Sequence, residues 1–430
     1  MFSKLKNLRG KKEGALAWNT LMLYILTFST YFLSFIAVMV ETRILGDENY
    51  GIIGVAMAIM VYFQLFIDFG FLLSATDEVS RNRTDSKRLN EILTSVTLCK
   101  LGLSVFSWAV LFVLCMVLHA WRGKFWFYSL FLVGTAINAM LPDYLYRGLE
   151  KMSAITIRTV CIRVFTTLGI FFFLKGVETI WVIPFLTAVG NLVAIAVCFY
   201  DAKKRLKVRF CRVTARDVWM RMRQSAFFFV SRFATTAYSA LNTVILDSVA
   251  PTASPVRSYY TTSDKLINTG RQALTPISDS LYPYMVKHHD YRLVKKVLMV
   301  LEPIIIVFCG IIFVFAPQIC VLLFGKPFRP SGDVLRVMLP AAVITLPSYI
   351  CGYPMLSSMG LAKHANNSTV FGSIIHVINL LILYLTGHLN MITLGAAMSV
   401  AEIIIFLYRV IVIWKYRDRL KGEKTDELAS

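Results

Sequence analysis

The sequence predicts an all-α polytopic membrane protein: about twelve transmembrane helices in two six-helix lobes, a parallel pseudo-repeat, and both termini cytoplasmic. Three observations lead there. The chain of 430 residues is 57% hydrophobic and only 16% charged, with a mean hydropathy of +0.63, more apolar surface than a protein in water tolerates. Apolar stretches long enough to cross a hydrocarbon core of about 30 Å recur from end to end, while the short alternating segments of a transmembrane barrel are missing. Lys and Arg crowd alternate connections, which sets orientation.

The spans of the first half fall at roughly 15–43, 50–76, 92–119, 125–146, 153–174 and 178–200. Those of the second fall at roughly 217–249, 255–285, 297–324, 334–358, 366–386 and 391–414. Residues 1–200 are thus an N-terminal six-helix lobe, 201–216 a basic cytoplasmic linker, 217–414 a C-terminal six-helix lobe and 415–430 a cytoplasmic tail. The apolar core of the first span is too long for a cleavable signal, and no small-residue cleavage site follows it. The termini and even-numbered loops hold most of the basic residues, among them Lys4, Lys6, Arg9, Lys11, Lys12, the block Lys203 to Arg223, and Lys415 to Lys424. The net charge of +20 therefore reads as membrane topology with attraction to anionic headgroups, not as nucleic-acid binding. The 8 Cys form no CxxC pair and mostly sit inside spans, and the 6 His are scattered, so neither a metal site nor a cofactor is expected. The outward loops are too short to fold as a soluble domain.

A short repeat links the halves. "GLEK" after the fourth span matches "GLAK" after the tenth, placing Gly148 on Gly360 and Lys151 on Lys363. An even number of spans per half makes the repeat parallel, with a candidate site where the lobes face each other.

Ionisable residues at mid-span cost ~2.5–3.5 kcal/mol each on insertion scales, so they usually face a cavity or a partner. Spans 7 and 8 carry the most polar faces. On span 7, Arg232, Thr235, Thr236, Ser239, Asn242, Thr243 and Asp247 recur at steps of three and four; on span 8, Thr261, Lys265, Asn268, Gln272, Thr275 and Asp279 do the same, with Arg271 alongside. Two readings stay open. The stripes can zip together through pairs such as Arg232, Lys265 and Arg271 with Asp247, Asp264 and Asp279, or they can line a cationic chamber. In the first hairpin Gln64 and Asp68 share a face. Lys100, Arg158 and Arg409 lie within a few turns of the surface and are expected to snorkel; Arg163 is deeper, and cavity and snorkelling weigh equally. Glu302 and Glu402 fit either ion sites or helix packing, and His376 fits packing.

"RILGDENYG", Arg43 to Gly51, resembles the R-x-L-G-x-x-x-Y-G signature of Wzx-type O-antigen/polysaccharide flippases. These form part of the polysaccharide transport family of the multidrug/oligosaccharidyl-lipid/polysaccharide superfamily. Arg43, Leu45, Gly46, Tyr50 and Gly51 carry the motif; family members often have Pro where this chain has Asp47. The resemblance implies a transporter, not an enzyme, in the bacterial cytoplasmic (inner) membrane. Its substrate would be an undecaprenyl-diphosphate-linked oligosaccharide moved between leaflets by alternating access. Its partners would be that lipid-linked oligosaccharide, membrane lipids, and the polysaccharide polymerase and chain-length regulator. On this view Arg232, Lys265, Arg271 and Arg163 bind the diphosphate, since guanidinium and ammonium groups replace its hydration. Thr235, Ser239, Asn242, Asn268, Gln272 and Gln64 line the path, and Asp68, Asp247 and Glu402 are the candidates for ion coupling. The motif itself is expected to form an outward-facing turn, with Glu41 and Arg43 at the interface. The nearest alternative is an ion-coupled multidrug antiporter of the same superfamily, which would need an acidic chamber. A membrane-embedded glycan polymerase or ligase is the more distant one, and it would need a large outward loop and a catalytic constellation.

Overall fold

The computed structural model describes residues 12–117, 121–249 and 254–417, without the side chains of 12–20, 227, 230–232, 234–240, 248–249, 283 and 287–288. Helices account for nearly all of it. In chain order they are α1 (Lys12–Asp68), α2 (Phe71–Arg81), α3 (Ser86–Val117), α4 (Phe125–Ala139), α5 (Asp143–Gly148), α6 (Met152–Phe173), α7 (Val182–Lys204) and α8 (Ala215–Val249). There follow α9 (Val256–His288), α10 (Tyr291–Phe324), α11 (Ser331–Val343), α12 (Thr345–Ile350), α13 (Leu356–Ser358), α14 (Ala362–Leu385) and α15 (Met391–Lys415).

Among the described residues, 9 helical segments are long and apolar enough to cross a membrane. The first, Leu21–Arg81, holds two spans separated at Gly46. Helices α8 and α9, with 35 and 33 residues, are long enough but too polar to be counted among them. With these, all twelve expected spans are present, and the chain is a multi-pass membrane protein.

Contacts divide the chain into two compact units: Met1–Leu45 with Ile53–Val244, and Gly46–Ile52 with Ile245–Ser430. The division falls inside α8. The signature's Gly46 to Gly51 thereby belongs with the second unit, although both flanking stretches of α1 belong with the first.

The first unit packs α1 to α7 and most of α8 around several apolar clusters, two of them extensive. One joins Ile53, Ile59, Ile67, Leu111, Leu132 and Ile183; the other joins Phe71, Ile92, Leu93, Tyr144 and Leu145. The second unit has cores at Leu281, Met285, Leu346 and Ile350 and at Leu356, Ala365 and Val412. Two of its helix starts are capped by side chains. Asp290 accepts from the backbone N–H groups of Arg292 and Leu293 at 3.1 and 3.2 Å, and Asn390 from Ile392 and Thr393 at 2.9 and 3.0 Å.

In each half of the sequence the fourth expected span is broken, and a buried cation sits at the break. Pro142, which has no N–H to give, separates α4 from α5, and the carbonyl of Ala139 accepts from Lys100 Nζ at 2.6 Å. In the second unit the backbone departs from helix at Gly352 (φ −69°, ψ −119°), and Ser348 O accepts from the Arg409 guanidinium at 2.8 Å. Arg409 also donates to Ser368 Oγ at 2.9 Å. Lys100 and Arg409 are 4% and 8% exposed. Neither snorkels: backbone carbonyls beside the breaks hold both inside.

The repeat recurs in the backbone, but two residues out of the register that the sequence match suggests. Lys151 N donates to Tyr146 O at 2.8 Å and Leu361 N to Leu356 O at 2.7 Å, the same six-residue closure. The left-handed residue of the turn is Glu150 (φ 57°) in one and Gly360 (φ 73°) in the other. Gly148, the apparent counterpart of Gly360, serves a different purpose: a Cβ there would lie 2.5 Å from Val79 Cγ1, so glycine permits α5 to cross α2 closely.

The signature is also tighter than a turn across Arg43 to Gly51. The only non-helical residue is Gly46 (φ 74°, ψ −179°), a conformation other residues adopt at a cost. Gly51 remains helical and packs closely on α9 within the second unit: a Cβ added to it would lie 3.2 Å from both Arg257 Cβ and Ser258 N. Tyr50 is buried edge-on to Phe328, and Asp47 Oδ2 accepts from the Tyr259 hydroxyl at 2.7 Å. Glu41, expected at the interface, is 2% exposed.

Candidate functional site

The breaks in the helices explain where the polar chemistry gathers. The short helix α5 begins with Asp143 and carries Arg147 in its last turn, so the broken fourth span brings two charges to the interior of the first unit. Together with faces of α1, α4, α6 and α7 it encloses a cavity of about 650 Å³. Arg147, Arg158, Arg163, Asp68 and Asp143 line it, along with the amides Gln64, Asn138 and Asn191 and the hydroxyls Thr30, Thr135, Thr159 and Thr187. A hydrogen-bonded chain runs along one wall. Asn138 donates to Gln64 Oε1 at 3.3 Å, and Gln64 donates to Asp68 Oδ2 at 2.9 Å. Lys100 Nζ lies 3.2 Å from Asp68 Oδ1, closing the carboxylate from the other side. The i, i+4 spacing of Gln64 and Asp68 makes the second of these contacts possible within one helix.

On the opposite wall Arg158 pairs with Asp143 at 2.7 Å and donates to Cys198 Sγ at 3.4 Å. Arg163, about a turn and a half further along α6, has no ion pair with a carboxylate among the described residues, and its side chain reaches the cavity. Three arginines against two carboxylates, each already paired with a cation, make the chamber net positive. Its amides and hydroxyls can exchange hydrogen bonds with a polyhydroxylated ligand.

In the second unit the expected site residues are placed differently. Arg271 is 8% exposed, and it donates to Glu402 Oε1 at 2.5 Å and to Thr345 Oγ1 at 3.1 Å. Asp247 pairs with Arg257 at 3.0 Å, both buried. Asn268 hydrogen-bonds Asp264, and Gln272 receives the Thr275 hydroxyl at 3.2 Å. Lys265 is half-buried on the same helix; Asn242, on the part of α8 that belongs to the first unit, is buried. The side chains of Arg232, Thr235 and Ser239 lie outside the described residues. His376 is fully buried, with Nδ1 3.4 Å from Ala397 O, a packing position. Of the residues singled out in the sequence, the structure therefore gathers Arg163, Gln64 and Asp68 at one cavity and Arg271 with Glu402 in one buried pair.

The sequence pattern does not mark Lys100, Arg147, Asp143, Asn138 or Asn191 as site residues, and it places Arg158 at the surface. The available signal is Pro142 inside an apolar span, since a break there draws neighbouring charges inward. Within the basic block Lys203 to Arg223, Arg221 is likewise buried, its guanidinium clamping Glu78.

Apolar spans with broken helices and buried cations at the breaks are a membrane fold that solved structures share. The fold matches an inward-facing multidrug resistance MATE family transporter of the MOP superfamily, with a TM-score of 0.71 at 14% identity over 92% of this chain and 96% of that one. It also matches lipid II flippase MurJ, in an inward closed conformation, with a TM-score of 0.65 at 13% identity over 91% and 87%. By sequence, the chain is 25% identical to a "Putative O-antigen transporter" of Shigella dysenteriae over 84% of this chain and 91% of that protein. It is 24% identical to a protein of the same description from Escherichia coli K12 over 66% and 68%. Residues 16–289 match the polysaccharide biosynthesis protein family, and the chain belongs to it. This agrees with the Wzx-type signature at Arg43 to Gly51.

Proposed function

We propose that the protein moves an undecaprenyl-diphosphate-linked oligosaccharide across the bacterial cytoplasmic membrane, and that the first unit's cavity holds the headgroup. The observation that carries this reading is the composition of that cavity: arginines for a diphosphate, amides and threonine hydroxyls for sugars. The names of the relatives and the family point the same way. Arg163 and Arg158 are the headgroup cations. Arg232 and Lys265 are further candidates on α8 and α9, whereas Arg271, engaged by Glu402, acts as an internal strut. Asp68 is the coupling acid of choice, because it alone of Asp68, Asp247 and Glu402 lines the cavity while holding a cation. Both termini are cytoplasmic in this scheme, and the polymerase and chain-length regulator of the same glycan are the partners it would serve. A multidrug antiporter, which takes cationic compounds, is not favoured by a chamber rich in arginine.

The test is export. Arg163→Ala, at wild-type membrane level in a flippase-deficient strain, is expected to lose most surface glycan, with Arg163→Lys retaining part. Wild-type glycan from Arg163→Ala would contradict the assignment.

A further inference from the structure

A second hollow of about 680 Å³ lies on the outer side of the first unit, between α6 and α7. Its walls are Ile157, Phe165, Val193 and Val197, all exposed, and its floor is opened by the small residues Gly190 and Ala194. One end is polar. Arg158, Arg205 and Asp201 stand there, and Asp201 is held by the Tyr146 hydroxyl at 3.0 Å. Arg205 is largely exposed beside Asp201, while the Nε of the partly buried Arg158 is shielded and lacks a hydrogen-bond partner.

Helix α6 separates this groove from the polar cavity, and two of its residues, Arg158 and Ile162, line both. They are one helical turn apart, on the edge of α6 that faces both spaces. Passing from groove to cavity, the order is therefore hydrocarbon, then guanidinium, then amides and hydroxyls. A lipid-linked oligosaccharide has the same order: isoprenoid chain, diphosphate, sugars. An annular phospholipid matches only the first two parts.

Resting on the function proposed above, we propose that the α6–α7 groove seats the isoprenoid chain of the substrate nearest its diphosphate. Arg158, at the boundary, exchanges its contact with Asp143 for the phosphate as the headgroup enters the cavity. The long apolar chain thus remains on the lipid-facing side while the sugars are sheltered, and α6 is the partition between them.

Two measurements test this. A photoreactive benzoylphenylalanine is placed at Val193, in the groove, or at the neighbouring Leu192, which is exposed on α7 outside it. Irradiation in membranes containing labelled undecaprenyl-diphosphate oligosaccharide should give adducts severalfold more abundant at position 193; equal labelling, or phospholipid adducts alone, would overturn the proposal. Ala194→Phe, which fills the groove without entering the cavity, should lower surface glycan about tenfold at wild-type protein level, the equivalent of ~1.4 kcal/mol of binding. Undiminished export by that variant would also overturn it. Failure of the unaltered protein to restore glycan in a flippase-deficient strain would instead overturn the underlying function, so the two failures are separable.

Discussion

In the first unit Arg158, Arg163 and Asp68 border a cavity of about 650 Å³, whereas in the second Arg271, Glu402 and Arg409 are enclosed by protein groups that use up their hydrogen bonds. Both units contain a span broken near its end, with a cation donating to a backbone carbonyl beside the break. They diverge in what the remaining charges meet. In the first unit the charges surround space; in the second they tie α9, α12, α14 and α15 together. The difference teaches that intramembrane charge does not itself mark a binding site. What matters is whether a group's donors are left to face a cavity, and so a ligand, or are spent on the fold.

Substitutions can break or sharpen that comparison. The largest stability loss is expected from Glu402→Ala, which strands a buried Arg271; breaking such a pair costs about 3–5 kcal/mol. Thermal unfolding of purified protein should show it, and an unchanged midpoint would mean that the pair does not hold the second unit. Lys100→Met should be milder, about 1–3 kcal/mol, since it removes the donor to Ala139 O and Asp68 Oδ1 while Asp68 Oδ2 keeps Gln64 and the carboxylate still reaches the cavity. Adding Asp68→Asn should recover part of this loss, a coupling that a double-mutant cycle measures. Gly46→Ala should cost about 1–2 kcal/mol, the penalty of a left-handed φ for a residue with a Cβ; indifference would mean that the break relaxes. The smallest stability change, about 0–1 kcal/mol, is expected from Arg163→Ala, which orphans no carboxylate. That variant should nonetheless show the greatest loss of export, separating a ligand-facing charge from a structural one.

The spans are legible in the sequence because each apolar run exceeds the bilayer's thickness, and the resemblance at Arg43 to Gly51 makes the family legible. Gln64 and Asp68 are readable as one face, and the closing contact between them follows from their spacing. What cannot be read is the direction of the charges. Depth from the membrane surface suggests that Lys100, Arg158 and Arg409 snorkel, yet each is drawn inward. Lys100 and Arg409 answer backbone carbonyls beside the breaks at Pro142 and Gly352, and Arg158 answers the Asp143 carboxylate that begins α5. Such helix interruptions depend on packing against neighbouring helices, which a linear pattern does not record. The polar stripes of α8 and α9 point to the second half for the same reason. A stripe shows that a face avoids lipid, but not whether it meets water or another side chain, and Arg271 meets Glu402.

The central claim, that the first unit's cavity receives the headgroup, is tested most directly by substrate protection. In a background with the 8 native cysteines replaced, a single cysteine at Asn138, in the cavity, or at Tyr353, exposed in the second unit, is reacted with a water-soluble maleimide. Adding undecaprenyl-diphosphate oligosaccharide should slow labelling at position 138 and leave position 353 unchanged. Labelling at 138 that proceeds equally fast with and without the substrate would contradict the account.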